Sequence, residues 1–314
     1  MKITVFLISL LLFSEAYANN SFIPNYYRSY RSQNRYSAVG WSDRKEANLE
    51  YGAGKETTDD GTSETDSDKS EYLASVFYRV NEAFNVEAGY FGNKEEPDGA
   101  DSKENKYLRL GLGYQFGDFA VGFNHQSADQ NDLKANLNSL GLGYRINGNI
   151  YLGIGYTNSR IYTGPGETIE ATSIGGGYVW GDVKNPTAAV EVDYEKYVDS
   201  GDGNSATVKG IWNQEAIQYN AKLALVDQVY KGTVVALGLD YQLEHIYFAP
   251  RITLLNQENK NTDAKRNDTQ FDLEVGYRAH AQWEAFVRYN SQKLEVGDED
   301  TTGSLFTVGG AYFF

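Results

Sequence analysis

Charged side chains recur at every second position in many stretches of the sequence, with apolar residues between them. Burying an unpaired charge in a dry protein interior is very unfavourable, so a face with this many charges must contact water. A water-filled passage with such walls concentrates counter-ions and admits polar solutes. The residues predicted to line it are Glu50, Arg79, Glu87, Arg109, Arg145, Glu191, Asp193, Lys209, Lys222, Asp240, Arg251, Asp272, Glu274, Glu284 and Arg288.

Side chains for covalent chemistry are scarce. The sequence has no cysteine, and its three histidines are His125, His245 and His280. Thiolate catalysis is therefore excluded, and no Ser or Asp stands at the spacing of a nucleophilic triad. Gly111-x-Gly113 and Gly141-x-Gly143 open no predicted helix, so they are not phosphate loops. The sequence predicts no catalytic residue, no cofactor and no enzyme.

One acidic cluster could in principle hold a divalent cation: Asp59, Asp60, Glu64, Asp66 and Asp68. Carboxylates are the oxygen ligands that Ca²⁺ and Mg²⁺ prefer, but the spacing does not match a calcium-binding loop. A solvated acidic loop over residues 57–69 is the favoured interpretation, and no metal ligand is predicted.

Polar and apolar residues alternate with a period of two from Ala47 to the end, which is typical of β-strands. The Asn147-Gly148 pair between two such runs is a strong hairpin signal. The pattern predicts an all-β fold, a transmembrane antiparallel up-and-down β-barrel of about sixteen strands, with fourteen as the alternative count. A barrel this wide encloses a water channel. Pro250, inside a strand, predicts a local bulge.

The connections are predicted to alternate between short turns on one side and longer acidic loops on the other. The third long loop is predicted from Gln126 to Asn138. The short turns are predicted at Asn81, Gly117, Gly148, Asp182, Asn213, Glu244 and Ala281.

The apolar series of each strand is predicted to face lipid. Tyrosines end several of these series, and amphipathic rings are stable at the lipid headgroups. This predicts a girdle formed by Tyr114, Tyr144, Tyr178, Tyr241, Tyr277 and Tyr312. The net charge of −15 argues against nucleic acid as a partner, because phosphate binding needs clustered Lys and Arg.

The first residues have the pattern of a secretory signal peptide. Lys2 precedes an apolar run from Ile3 to Phe13, and Ala16-Tyr17-Ala18 is a small-x-small cleavage site. The predicted organisation is a signal peptide over 1–18, an N-terminal extension over 19–46 and a transmembrane β-barrel over 47–314.

The terminal strand alternates from Phe306 to Phe314, with Tyr312 two places before the final Phe. This ending resembles the assembly signal of Gram-negative outer-membrane barrels. Together with the signal peptide, strand pattern and girdle, it makes nearly the whole mature chain similar to Gram-negative porins, especially shorter ones of Gammaproteobacteria. The resemblance implies the outer membrane as location and passive diffusion of small hydrophilic solutes as function. It also implies outer-membrane lipid, lipopolysaccharide and the barrel assembly machinery as partners, and leaves monomer and homotrimer open.

The sequence departs from trimeric porins in its short third loop, which carries little charge to form a constriction. Either the lumen is open, or the Arg-containing segment 19–46 enters it as a plug, in which case deleting that segment raises conductance. The acidic excess predicts weak cation preference. Two other functions stay open: a solute-specific channel, although inward-facing Phe77, Tyr247 and Phe286 are scattered, and an adhesin or receptor that acts through its acidic loops.

Overall fold

The computed structural model describes residues 45–314 except 100, 131–132, 162–167, 182–185, 200–202, 229, 280–281 and 298. These residues form sixteen β-strands, and no helix among them is long and apolar enough to cross a membrane. The strands are β1 (Glu46–Asp59), β2 (Glu64–Arg79), β3 (Phe84–Pro97), β4 (Lys103–Phe116), β5 (Phe119–Gln130), β6 (Leu133–Ile146), β7 (Ile150–Ile161), β8 (Thr168–Gly181), β9 (Pro186–Asp199), β10 (Gly203–Gln214), β11 (Ile217–Asp227), β12 (Tyr230–Leu243), β13 (Ile246–Asn259), β14 (Lys265–Ala279), β15 (Trp283–Val296) and β16 (Glu299–Phe313).

The strands close into a single barrel. Each pairs antiparallel with the next in the chain, and β16 pairs with β1 from Glu46 opposite Phe313 to Asp59 opposite Asp300. Closure leaves no strand edge with unpaired backbone groups, which a bilayer requires. The predicted up-and-down barrel of sixteen strands is confirmed, and fourteen is wrong. The first strand begins at Glu46, one residue before the predicted barrel boundary.

The two faces of the sheet differ as the alternation predicts. Large apolar side chains on one face are exposed, for example Leu49, Leu112 and Ile154. The residues between them point to the other face, where Asn48 and Glu87 are buried. Because the inside of a closed sheet is the less accessible side, the polar face is the inner face and the apolar face is the outer face.

The apolar outer residues form a continuous belt. On β4 it runs from Leu108 to Phe116, which is about 27 Å along the strand and roughly 20 Å along the barrel axis at an ordinary tilt. Outer-membrane barrels carry an apolar band about 25 Å tall. Strands of 11 to 16 residues are therefore longer than the belt. We call the end where β1 begins and β16 ends the terminal end, and the opposite end the far end.

Aromatic residues line both edges of the belt. At the terminal edge, the predicted girdle residues Tyr114, Tyr144, Tyr178 and Tyr277 are exposed. Neighbouring rings there lie in contact, and the Phe119 and Tyr144 centroids are 4.6 Å apart. A second girdle, which the sequence analysis missed, lies at the far edge and contains Tyr51, Tyr90, Tyr156, Tyr194 and Tyr289.

The predicted alternation of short and long connections does not hold throughout the described residues. The connection at the far end between Asp59 and Glu64 is as short as the one at the terminal end between Arg79 and Phe84. The predicted loops over 57–69 and from Gln126 to Asn138 are mostly paired strand. Beyond the apolar belt both faces of a strand contact water, so the alternation fades although the backbone pairing continues.

The acidic residues of the first connection stabilise a tight turn. The Asp60 carboxylate accepts hydrogen bonds from the Thr62 hydroxyl (2.7 Å) and from the backbone N–H groups of Thr62 (2.9 Å) and Ser63 (2.7 Å). These bonds, that from the Thr62 hydroxyl first, lower the pKa of exposed Asp60 to about 2. The Asp60 side chain therefore stays ionised, and accepts these hydrogen bonds as a carboxylate, until the pH falls to about 2.

Two local predictions are also wrong. Pro250 introduces no bulge: the register of β12 with β13 is the same on both sides of it, and two ladder pairs are simply missing. Proline removes one N–H donor, which interrupts the ladder without adding a residue. Asn213 lies within β10 rather than in a turn, and the chain turns at Glu215 and Ala216.

Several predictions concern residues outside the described part. The signal peptide over 1–18 lies there, and so does the extension except for Lys45 and Glu46. The predicted turn positions Asp182 and Ala281 lie outside as well.

Candidate functional site

The inner wall of the barrel collects the charges that the sequence analysis selected. The strand registers place all of the predicted pore-lining residues on the inner face. Arg79 and Arg145 differ from the rest because they contact terminal-end turns. Arg79 donates to the carbonyls of Asn81 and Glu82, and Arg145 lies 3.4 Å from Asp118.

Arg288 is the centre of a charged group on the inner wall. Its Nε and Nη2 donate to Glu274 Oε2 at 2.9 and 2.7 Å, and its Nη1 donates to Glu50 Oε2 at 3.1 Å. The guanidinium carbon also lies 5.2 Å from the centre of the Phe286 ring. Glu274 is only 1% exposed. One planar cation therefore neutralises carboxylates from β1 and β14, a task that suits the fork-shaped guanidinium.

Tyr247 extends this group to two further charges. Its hydroxyl lies 2.7 Å from Glu274 Oε1 and 2.9 Å from Glu284 Oε1, and Arg278 donates to Glu284 Oε2. Sequence reasoning missed Arg278, although it continues the inward series of β14 after Asp272 and Glu274. We call Glu50, Tyr247, Glu274, Arg278, Glu284 and Arg288 the tyrosine–carboxylate network.

Polar side chains continue the wall toward the far end. Arg251 Nη2 lies 3.5 Å from Asp240 Oδ1, and Asn290 donates to Asp272 at 2.7 Å. Farther along, Gln292 donates to Asp268 at 2.9 Å. Asp268 was also missed, because it lies in a stretch without clear alternation.

Two buried ion pairs lie on other sectors of the wall. Glu87 and Arg109 approach to 2.6 Å. Glu191 and Lys209 face each other across β9 and β10 at 3.7 Å, with side chains 1% and 2% exposed. Lys222 is the cross-strand neighbour of Lys209, and Asp193 is buried beside Glu191. Glu191 and Lys209 are directly paired, whereas Glu87 and Arg109 are diagonal neighbours on β3 and β4. In both pairs, opposite charges lie close together where water is scarce.

The wall across the barrel from the network is rich in glycine. Directly paired glycines cross it in two rows, which are Gly113, Gly122, Gly141 and Gly155, and then Gly143, Gly153 and Gly175. These rows centre on β6, eight strands from β14. The cross-section is therefore asymmetric, with the charged network on one wall and rows of mostly buried glycines, beside the buried side chains of Tyr151 and Val179, on the other.

The inward aromatic residues are less scattered than the sequence suggested. Tyr247 and Phe286 belong to one buried group with Ala249. Phe77 lies apart from them on β2. The Tyr247 ring lies over Gly276, and the Phe286 ring lies over Gly309, each glycine being on a neighbouring strand. An added Cβ at either glycine would overlap the ring.

Gly276→Ala is therefore expected to push the Tyr247 ring out of place and to lower the free energy of unfolding by about 1–3 kcal/mol. Gly89→Ala is the matched control, because an added Cβ there meets nothing closer than 3.7 Å. Urea unfolding of the refolded barrel, followed by tryptophan fluorescence, measures both. Equal stability of the two variants would contradict the packing described here.

Residues for other chemistry are dispersed. His125 pairs with Asn138 at 2.8 Å on the outer face, His245 lies in a turn, and His280 is outside the described residues. Within the described part of the chain, no three His, Cys, Asp or Glu residues are placed to hold a metal ion.

Comparison with solved structures places the fold among bacterial outer-membrane barrels. The chain is similar to OccK5 (OpdH) of Pseudomonas aeruginosa, with a TM-score of 0.54, 11% identity, and coverage of 88% of this chain and 99% of that one. A FadL homologue of the same organism gives 0.52 and 10% identity, covering 95% of this chain and 96% of the other. A bacterial polysaccharide outer membrane secretin gives 0.50 and 12% identity, covering 85% and 98%.

At these identities the likeness establishes the fold alone. No protein-family model matches the chain, and no curated protein matches it.

Proposed function

We propose that this protein is an outer-membrane porin that forms a water-filled channel for passive diffusion of small hydrophilic solutes and ions. One observation carries the proposal: a closed barrel with a lipid-facing apolar belt puts its charged side chains on the inner face. Charged side chains on the inner face can contact solutes that pass through the barrel, whereas they do not contact the lipid outside it. The similarity in fold to outer-membrane barrels supports the same function.

We expect the channel to prefer cations weakly. The pore-lining set contains more carboxylates than cationic groups, although several are paired, as Glu274 is with Arg288. An excess of fixed negative charge raises the local cation concentration. The zero-current potential of the refolded protein in a planar bilayer under a KCl gradient measures this preference. A potential of the sign given by anion selectivity would contradict it.

A solute-specific channel is the second candidate. It is favoured by the placement of Tyr247 and Phe286 beside Arg288, which gives one wall an apolar and hydrogen-bonding surface. Specific transport would saturate with solute concentration, whereas general diffusion would increase in proportion to it. Uptake into liposomes over a range of solute concentrations distinguishes the two.

An adhesin or receptor is the third candidate. Its contact surface would be the charged far end, where outward pairs such as Lys134 and Asp129 lie 3.5 Å apart. A folded barrel without conductance would favour this function over both channels.

The proposed location determines the partners. The outer belt would contact outer-membrane lipid and lipopolysaccharide, and the terminal end would face the periplasm, as in bacterial barrels with an even number of strands. The barrel assembly machinery would insert the chain, and small hydrophilic solutes would be its cargo. We propose no nucleic-acid partner and no enzymatic activity, and a homotrimer is one of the two assemblies to test.

Tyr312 and Phe314 are proposed as the assembly signal. Phe314 is exposed on the outer face, its N–H donates to the Lys45 carbonyl at 2.9 Å, and its ring meets Tyr312 edge to face at 5.1 Å. Phe314→Ser is expected to reduce the amount of barrel in isolated outer membranes several-fold. Phe306→Ser, another exposed aromatic position on the terminal strand, is the control. Equal loss in both variants would mean that Phe314 acts only as part of the belt.

A further inference from the structure

The buried glycines of the inner wall have only small neighbours. Gly141 lies between Gly122 on β5 and Gly155 on β7, and the next inward residues of β6 are Ser139 and Gly143. These neighbours carry a hydrogen or a hydroxymethyl group, which are too small to cover Gly141. Gly141 is nevertheless buried, and so are other glycines of the two rows: Gly113, Gly122, Gly143 and Gly153. Because a sixteen-stranded barrel is too wide for side chains to fill, another part of the molecule must lie over these glycines.

Two polar side chains on the same wall need hydrogen bonds. Asn124 faces inward between Gly111 and Ser139 and is 2% exposed, and Ser159 on β7 is 6% exposed. Within the part of the chain that the structure describes, Asn124 Oδ1 and Ser159 Oγ have no hydrogen-bond partner. A buried polar group without a partner is unfavourable. We therefore expect the covering element to be polar chain that can hydrogen-bond to this wall.

A strip of buried residues on β9 adjoins the glycine rows. Every inward residue from Ala189 to Tyr197 is buried, and three of them are acidic: Glu191, Asp193 and Glu195. Lys209 faces Glu191 across the strands at 3.7 Å. Buried carboxylates are stable only beside positive charge or hydrogen-bond donors. The strip therefore favours a cationic segment as the covering element.

The connections between strands are too short to cover this wall. Among the sixteen described strands, no connection is longer than six residues. Going out and back, six residues reach about 10 Å, whereas Gly141 lies roughly 17 Å along β6 from the nearer end of that strand.

The remaining residues, 1–44, precede β1 and lie outside the described part of the chain. Of these, residues 1–18 are the predicted signal peptide. The segment 19–44 can extend to about 85 Å. Sixteen tilted strands spaced about 4.8 Å apart enclose a diameter of roughly 30 Å, so this segment is long enough to cross the lumen and to follow the opposite wall.

The segment begins its path at the mouth of the lumen. The N–H of Phe314 donates to the Lys45 carbonyl at 2.9 Å, which fixes Lys45 beside β16 at the terminal end. Glu46, the first residue of β1, faces inward and is buried. Gly143 and Gly153 also lie near the terminal ends of their strands. The chain before Lys45 and the glycine rows are therefore at the same end of the barrel.

The composition of the segment fits the wall. It has one acidic residue, Asp43, and four arginines: Arg28, Arg31, Arg35 and Arg44. It is also rich in aromatic residues, which are Phe22, Tyr26, Tyr27, Tyr30, Tyr36 and Trp41. Elsewhere in this barrel, aromatic rings pack over inner-face glycines, as Tyr247 does over Gly276. The glycine rows offer the same kind of surface.

We propose that residues 19–44 lie inside the barrel against the inner face of β4 to β9. Their aromatic rings cover the glycine rows, and Arg28, Arg31 and Arg35 lie beside the carboxylates of β9. The segment supplies the constriction that the two-residue connection after β5 is too short to form. Its effect on transport rests on the proposed channel function: the segment narrows the passage, so its removal increases the conductance.

Cysteine labelling tests the proposal directly, because the sequence has no cysteine of its own. Asn124→Cys reports on the covered wall. Val296→Cys is the matched control, since Val296 is on the inner face at the far end and is 37% exposed. In the refolded mature chain, we expect a water-soluble maleimide to modify the Asn124→Cys thiol about tenfold more slowly than the Val296→Cys thiol, because a covered thiol reacts only after local opening.

Deletion of residues 19–44 is expected to remove this protection and to leave labelling of Val296→Cys unchanged. Heat-dependent electrophoretic mobility verifies that the shortened chain is folded. Slow labelling of Asn124→Cys in both chains would mean that something else covers the wall, and fast labelling in both would mean that nothing does. Either result would overturn the proposal.

The combined variant Arg28→Gln, Arg31→Gln and Arg35→Gln provides a second test if the shortened chain fails to refold. It keeps the length of the segment but removes the charges that face β9, so labelling of Asn124→Cys is expected to become several-fold faster. Arg44→Gln is the control, because Arg44 adjoins Lys45 at the rim of β1, eight strands from β9. Unchanged protection in the combined variant would contradict the role of the three arginines.

Labelling does not require a current, so the two proposals can fail separately. If the protection behaves as expected but the bilayer shows no current with or without the segment, the segment lies in the lumen and the channel function fails. A current together with an unprotected Asn124→Cys thiol has the opposite meaning.

Discussion

Arg288→Ala is expected to lower the free energy of unfolding by about 3–5 kcal/mol, because it leaves the buried carboxylates Glu274 and Glu50 without their shared cation. The loss exceeds that of an ordinary surface contact since Glu274 has almost no access to water. Arg288→Lys is expected to lower the free energy of unfolding by less than Arg288→Ala does. An ammonium group retains the charge but cannot reproduce the planar set of N–H groups that the guanidinium directs at Glu274 and Glu50. Urea titration of the barrel refolded in lipid vesicles gives the value.

The matched control is Lys293→Ala, on the same strand. Lys293 contacts Glu295 at 2.6 Å and Asp300 at 3.9 Å, but it is half exposed. Water screens such pairs, so a change below about 1 kcal/mol is expected. A similarly small change for Arg288→Ala would show that the tyrosine–carboxylate network contributes little to stability.

Leu112→Arg is expected to lower the free energy of unfolding by about 2–4 kcal/mol in lipid. Leu112 lies on the outer face near the middle of the belt, between Val86 and Phe123 on the neighbouring strands. A guanidinium group at this position must be taken into hydrocarbon or distort the bilayer around it. The same lipid-vesicle titration measures the effect.

Thr233→Arg provides the comparison at the outer far end. Thr233 is exposed and lies at the far edge of the apolar belt, between Leu225 on β11 and Asn256 on β13. There the charge remains in water, and the expected change is below about 1 kcal/mol. Equal effects of the two arginines would mean that the belt is not the lipid-facing surface.

The sequence predicts most of the barrel because a strand in a bilayer must alternate. Leu108, Leu110 and Leu112 face lipid while Arg109 and Gly111 face inward, and no other regular structure explains that order. Asn147-Gly148 is a true tight turn, with φ of 54° and 73°, as an Asn-Gly hairpin requires. Closure of the sheet into a barrel is then expected, because unpaired backbone groups at a free strand edge are unfavourable in a bilayer.

The far-end strands could not be predicted in the same way. From Glu64 to Ser70 both faces are polar, and from Gln126 to Asp129 the outer face is polar as well, so little difference between the faces remains to mark the strand. Backbone pairing continues there because it depends on the neighbouring strand and not on side-chain polarity.

The inner wall shows a similar limit. Alternation identifies Glu274 and Glu284 as inward-facing, but their meeting at Tyr247 depends on the registers of β13 with β14 and of β14 with β15. Those registers depend on turn geometry and on contacts between distant residues. The glycine rows across β4 to β8 arise in the same way, since single inward glycines become continuous rows only when the registers align them.

Single-channel conductance of the refolded mature chain in a planar bilayer tests the proposed function most directly. A continuous, charged inner wall in a closed barrel predicts stepwise insertions with a steady current proportional to voltage. Silence from chains whose folding is verified by heat-dependent electrophoretic mobility would contradict an open diffusion channel.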